Sequence, residues 1–206
     1  MQQKHVLLLV GILAVAGMFA LLYRMDAAKI TNYPSAGTDV VAFGDSLVVG
    51  FGANANKDFV TLLSEQIGEP IVNLGVNGDT TAKGVDRLKD LDAYKPKVVI
   101  LLLGGNDALQ RVPPAETFAN LRTIIADIQK RGSIVLLIGV RGGVVNGVYP
   151  EEFEKLADET GAAFVPDVLE GLFGEKQYMA DGIHPNDAGN RIIADRVYPS
   201  LAPLLQ

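Results

Sequence analysis

The segment Pro96-Lys97-Val98-Val99-Ile100-Leu101-Leu102-Leu103-Gly104-Gly105-Asn106-Asp107 is apolar from Val98 to Leu103 and then stops at two glycines, an amide and an acid. A strand that is apolar at every position, without period-two alternation, has to be covered on both faces, the habit of strands in parallel sheets flanked by helices. Working outward, Val40–Phe43 and Ile134–Val140 are further continuous apolar runs, and Ile71–Asn73 and Ala163–Val165 are shorter ones. Helical patterns lie between them. Lys57–Ile67 puts Phe59, Leu62, Leu63 and Ile67 on one face and is closed by Gly68. Thr81–Leu91 reads as a helix. Pro114–Arg131 has proline in its first turn, an inward stripe of Phe118, Leu121, Ile125 and Ile128, and a stop at Gly132. Pro150–Thr160 and a final helix from Asp187 to about Leu204, bent at Pro199, complete the set. Alternation of this kind implies right-handed crossovers and a parallel sheet, hence an α/β protein built as a three-layer α/β/α sandwich.

In open parallel sheets ligands sit beyond the carboxyl ends of the strands. Three short polar blocks fall there: Gly44-Asp45-Ser46-Leu47, Asn77-Gly78-Asp79 and Gly104-Gly105-Asn106-Asp107. A fourth, Asp181-Gly182-Ile183-His184-Pro185, precedes the last helix. Together they supply what acyl transfer through a serine needs. Ser46 is a nucleophile that requires a base. His184 is that base, since the other histidine, His5, lies in the N-terminal tail. Asp181, three residues earlier with glycine between, can hold one ring nitrogen so that the other faces Ser46. Asn106 offers a side-chain amide, and Gly78 and Ser46 offer backbone N–H groups, to the charge that develops on an attacked carbonyl. Each block also has a plainer reading. Ser46 and Asp45 suit a turn or cap, Asp181–Pro185 a surface turn with Asn186 or Asp187 capping the next helix, and Gly75, Gly78 and Gly104 ordinary loop positions.

These residues resemble the SGNH hydrolases, the GDSL esterase/lipase superfamily, whose serine, glycine, asparagine and histidine match Ser46, Gly78, Asn106 and His184, and whose acid matches Asp181. The resemblance covers roughly residues 40–204. It implies a flavodoxin-like sheet of five strands, hydrolysis of acyl esters or thioesters, and no metal or organic cofactor. The wording of the second and third blocks is closest to the branch of small bacterial arylesterases, acyl-CoA thioesterases and lysophospholipases. The match weakens from Ala108 to Pro114 and from Arg141 to Pro150, loops expected to line the substrate pocket. There Leu109, Val112, Val144 and Val145 suit an acyl tail, and Tyr149 is the only aromatic.

The rest of the chain narrows the partners. From Val6 to Tyr23 no residue is charged; as a helix that run would extend about 27 Å, near the hydrocarbon thickness of a bilayer. It lacks a convincing small-x-small cleavage site, so residues 1–30 are expected to be an uncleaved membrane anchor in preference to a signal peptide, residues 31–39 a linker, and residues 40–206 the hydrolase domain. The expected location is extracytoplasmic, with the catalytic domain monomeric. A formal net charge of −6, without a lysine–arginine cluster, fits nucleic acid poorly. The chain has no cysteine, which excludes disulfides, thiolate chemistry and a cysteine zinc site.

Other readings compete less well. Val48 occupies the fifth position where an α/β-hydrolase elbow needs glycine, and no phosphate-binding loop is present. A two-metal phosphoesterase could use Asp45, Asp107, Asp181 and His184, but such sites recruit denser ligand sets. A membrane-tethered binding module would be favoured had one of the catalytic types been replaced. An O-acetyl esterase acting on carbohydrate or cell-wall polymer would use the same residues, although the chain has no tryptophan to form a sugar platform.

Overall fold

The apolar run that begins at Val98 becomes the middle of the sheet. In the computed structural model, which describes residues 30–140 and 149–206, β1 (Asp39–Gly44), β2 (Ile71–Gly75), β3 (Pro96–Leu102), β4 (Ile134–Ile138) and β5 (Ala163–Val165) pair in the order β2-β1-β3-β4-β5. All four pairings are parallel. This is the flavodoxin-like order, and its switch point lies between β1 and β3.

Strand parity distributes the core. Val40, Ala42, Val98, Ile100, Leu102, Ile134, Leu136 and Ile138 face one side, against α2 (Phe59–Ile67) and α7 (Asp187–Leu201). Val41, Phe43, Val99, Leu101, Val135 and Leu137 face the other, against α5 (Pro114–Lys130) and α6 (Tyr149–Thr160). Successive residues of a strand point to opposite faces, so a strand inside two apolar layers must be apolar throughout, as these are. The edge strand β2 is only half-buried and carries the exposed Asn73. It continues to Gly75, beyond the expected Asn73, because Leu74 and Gly75 pair with Phe43 and Gly44.

Element boundaries shift where local chemistry intervenes. The helix expected from Lys57 starts at Phe59, because the Asp58 carboxylate accepts from the Thr61 N–H at 2.9 Å and caps it. The helix expected over Thr81–Leu91 is divided into α3 (Thr81–Asp86) and a 3-10 turn (Leu88–Ala93). The break falls at Arg87 (φ −108°, ψ 18°), whose side chain turns inward. The last helix runs past Pro199 to Leu201 and tightens into a 3-10 turn at Ala202–Leu205.

Residues expected to form a linker are docked on the domain. Thr31 donates its N–H to the Gly161 carbonyl (2.9 Å) and its hydroxyl to the Thr160 carbonyl (2.9 Å). Asn32 Nδ2 donates to the carbonyls of Gln129 and Ser133, and Ser35 Oγ to that of Gly132. The N-terminal apolar run lies outside the described residues. Among the described residues no helix is long and apolar enough to cross a membrane.

Candidate active site

Ser46 opens α1 (Ser46–Val49), a helix of one turn set directly on the end of β1. The turn is sharp because Gly44 leaves no side chain between β1 and the Leu102 carbonyl or Val48. Asp45 stabilises it by accepting from the Leu47 N–H at 3.0 Å. Gly50, at φ +83°, closes the turn in the left-handed region.

The fourth block is a self-closed loop. The Ala180 N–H donates to the His184 carbonyl (2.8 Å), and Met179 and Pro185 form an antiparallel bridge. Inside it, Asp181 Oδ1 accepts from the N–H groups of Ile183 (2.8 Å) and His184 (2.7 Å). That arrangement turns Oδ2 onto His184 Nδ1 at 2.8 Å. The three-residue spacing is therefore the span of one carboxylate that folds its own turn and still reaches the imidazole. His184 Nε2 lies 3.0 Å from Ser46 Oγ. With the carboxylate accepting, Nδ1 carries the proton and Nε2 is free to accept from the serine hydroxyl. The hydrogen bond from His184, supported by the Ile183 N–H, holds the Asp181 carboxyl down at about 2. Phe51, about half exposed, leans on the imidazole with ring centroids 4.5 Å apart. Gly52 lets its loop pass close to Pro185 and His184, where a Cβ would crowd both.

The second and third blocks meet beside the serine. The Asp79 N–H donates to the Val76 carbonyl at 3.2 Å, and Gly78 sits between them at φ +75°, a conformation that favours glycine. Asn106, in the first turn of α4 (Gly105–Leu109), donates Nδ2 to the Asp79 carbonyl at 2.9 Å, and the same nitrogen is 3.3 Å from Asp45 Oδ2. Asp107 is buried and accepts from the Thr81 N–H (2.9 Å) and hydroxyl (2.5 Å), which ties α4 to α3. Burial, reinforced by the charges of Asp79 and Asp107, pushes the Asp45 carboxyl up to about 7. The carboxylates of the two-metal alternative are thus committed separately, Asp107 to Thr81 and Asp181 to the histidine loop.

A cleft opens over Ser46, His184 and Asn106, walled by Leu47, Leu109, Val140, Leu169, Phe173 and Ile183. Of the expected substrate contacts, Leu109 is in this wall. Val112 is half-buried in the loop after α4 and does not line the cleft. Tyr149 is a correction: it begins α6, packs edge-on against Phe118, and exchanges a hydrogen bond with Thr117 Oγ1 at 3.3 Å. Tyr149, the aromatic expected in the pocket, is core. Val144 and Val145 lie outside the described residues. Leu169 and Phe173, which sequence reasoning missed, follow the carboxyl end of β5, where the strand-end rule points.

Residues 42–192 match the GDSL-like lipase/acylhydrolase family. The chain belongs to it. Esterase TesA of Pseudomonas aeruginosa is 34% identical over 191 residues, covering 87% of this chain and 95% of the relative. The thioesterase 1/protease 1/lysophospholipase L1 of Escherichia coli is 32% identical over 185 residues, covering 85% and 89%. Among solved structures, that of TesA superposes with a TM-score of 0.74 at 32% identity, over 81% of this chain and 99% of the other. This family member is a serine ester hydrolase with the SGNH fold.

Proposed function

We propose that Ser46 carries the acyl group, that His184 and Asp181 move and steady the proton, and that the Ser46 and Gly78 N–H groups with Asn106 Nδ2 form the oxyanion hole. The observation that carries this reading is the continuous relay from Asp181 Oδ2 to His184 Nδ1 (2.8 Å) and from His184 Nε2 to Ser46 Oγ (3.0 Å). Ser46 Oγ attacks the carbonyl carbon of a bound ester or thioester while His184 Nε2 takes its proton. The carbonyl oxygen becomes an oxyanion. Collapse breaks the bond to the leaving alkoxide or thiolate, which receives the proton from His184. Water then attacks the acyl-serine by the same route, with His184 as base, and releases the acid.

The substrates are simple carboxylic esters or thioesters whose acyl part lies against Leu109, Val140, Leu169, Phe173 and Ile183. Among the described residues, the cleft walls are apolar and present no charged side chain beyond Asp45 and His184, which suits a hydrocarbon better than a sugar. The N-terminal segment carries the domain across a membrane and holds it there, so hydrolysis takes place outside the cytoplasm.

A fluorophosphonate probe should label the wild-type chain stoichiometrically at Ser46. Ser46→Ala should abolish labelling and lower turnover by about four to six orders of magnitude. Stoichiometric labelling of the Ser46→Ala chain would end this reading. A panel crossing acyl length with phenol, thioester, lysophospholipid and sugar leaving groups should favour the first three over sugar acetates.

A further inference from the structure

Arg87 belongs to none of the four blocks, yet its guanidinium lies beneath two of them, 13% exposed. Nη2 donates to the Gly44 carbonyl (2.7 Å), Nη1 to the Leu74 carbonyl (2.9 Å) and Nε to Asp79 Oδ2 (2.5 Å). The cation also stands 3.9 Å over the ring of Phe43. Gly44 ends β1 two residues before Ser46, and Leu74 lies near the end of its neighbour β2. Acceptors in three directions fit the planar fork of a guanidinium and exceed what one ammonium holds in fixed geometry.

A charge is costly to bury unless it is paired and hydrogen-bonded. Joining β1 to β2 does not call for one, since the ladder already does so. What the arginine adds is its grip on Asp79. Gly78 immediately precedes Asp79, the Asp79 N–H closes the turn onto Val76, and the Asp79 carbonyl accepts the Asn106 amide at 2.9 Å. One residue thus anchors both of the oxyanion donors that lie outside the serine turn, and Arg87 anchors that residue.

We propose that Arg87 is a positioning residue for the oxyanion hole. Through Asp79 it sets Gly78 and Asn106, and through Gly44 it registers that frame against Ser46. It touches no substrate, and its role rests on the reading of Ser46, Gly78 and Asn106 given above. Preset donors act only where the oxyanion forms, and a displacement of about 1 Å can cost about 10²-fold. Loss of Arg87 therefore acts on turnover, while binding, set by the cleft walls, is spared.

The test compares Arg87→Met, Arg87→Lys and Asp79→Asn in the full-length chain, with rates divided by active sites titrated to completion with a fluorophosphonate. Arg87→Met and Asp79→Asn should lower kcat per titrated site by about 10- to 100-fold with KM nearly unchanged. Arg87→Lys, which keeps the charge and loses the fork, should fall between. In an Asn106→Ala background Arg87→Met should cost far less, because a donor it positions is gone. An equal factor in both backgrounds, or a loss that vanishes per titrated site, would make Arg87 a stability residue and overturn the proposal. Should Arg87→Met fail to fold, Asp79→Asn, of nearly unchanged shape, carries the same comparison. Ser46→Ala run in parallel separates the two claims. Hydrolysis surviving there would overturn the nucleophile reading, whereas an inactive Ser46→Ala beside unaffected Arg87 variants would overturn only the positioning role.

Discussion

Asp45 and Asp181 show how differently two carboxyls behave a few residues from the same histidine–serine pair. Burial raises Asp45 to about 7, and hydrogen bonds lower Asp181 to about 2. Their linkage to stability has opposite signs. The folded chain binds the Asp45 proton more tightly than the unfolded chain, so that contribution is present below about 3.8 and is lost as pH rises through about 7. Asp181 stabilises above about 3.8, and its contribution is lost as pH falls through about 2. Between pH 5 and 8 the slope contributed by this pair therefore belongs to Asp45. Urea unfolding at those two pH values should show wild type losing up to about 3 kcal/mol more than Asp45→Asn on going to the higher pH. Equal losses in the two proteins would mean that Asp45 ionises normally when folded. At this scale the serine, glycine, asparagine, aspartate and histidine positions were legible, because small polar blocks at the ends of apolar strands are conspicuous. The raised pKa of Asp45 was not legible, since it comes from burial in the folded chain, reinforced by Asp79 and Asp107 arriving from other strand ends.

Central elements are written into the chain more plainly than peripheral ones. Strands β3 and β4 fall within two residues of their expected bounds, because burial on both faces demands an apolar residue at every step. The Thr81–Leu91 pattern continues past Arg87 while the backbone does not, since the long-range bonds of that arginine have no local signature. The place of Tyr149 is illegible for a similar reason: a loop aromatic and a helix-start aromatic look alike until Phe118 and Thr117 are brought to it. The contact between α3 and α4 is likewise long-range, and it is polar. Asp107 accepts two hydrogen bonds from Thr81 and a longer one, at 3.4 Å, from Thr117 Oγ1. Removing the Thr81 hydroxyl leaves a buried carboxylate oxygen short of its best donor. Thr81→Val should therefore cost about 1–3 kcal/mol in urea unfolding, and Thr81→Ser, which keeps the donor, should recover most of it. A valine variant as stable as wild type would show that water replaces the hydroxyl and that the bond does not hold the two helices.

For the whole molecule, the docked residues 31–35 fix the end of the sheet at which the described chain begins. Thr31, Asn32 and Ser35 bond to Thr160, Gly161, Gly132 and Ser133, which lie at the amino ends of β4 and β5. Ser46, Gly78 and Asn106 stand at the carboxyl ends of β1, β2 and β3, on the opposite edge of the sheet. The described chain thus begins at the end of the sheet away from the active site. If the uncharged run from Val6 to Tyr23 stays in a bilayer, it holds the full-length protein there. Alkaline carbonate should then fail to extract the full-length protein, while residues 30–206 should be soluble and hydrolyse a soluble ester with unchanged kcat/KM. Cutting further, to begin at Gly37, removes the docked residues and should lower stability relative to residues 30–206, because the Thr31, Asn32 and Ser35 bonds are lost. Recovery of a soluble mature chain beginning near Ala27–Thr31 would show that the run is a cleaved signal. Residues 30–206 with altered kcat/KM on a soluble ester would show that the N-terminal segment reaches the cleft, against the geometry of its attachment.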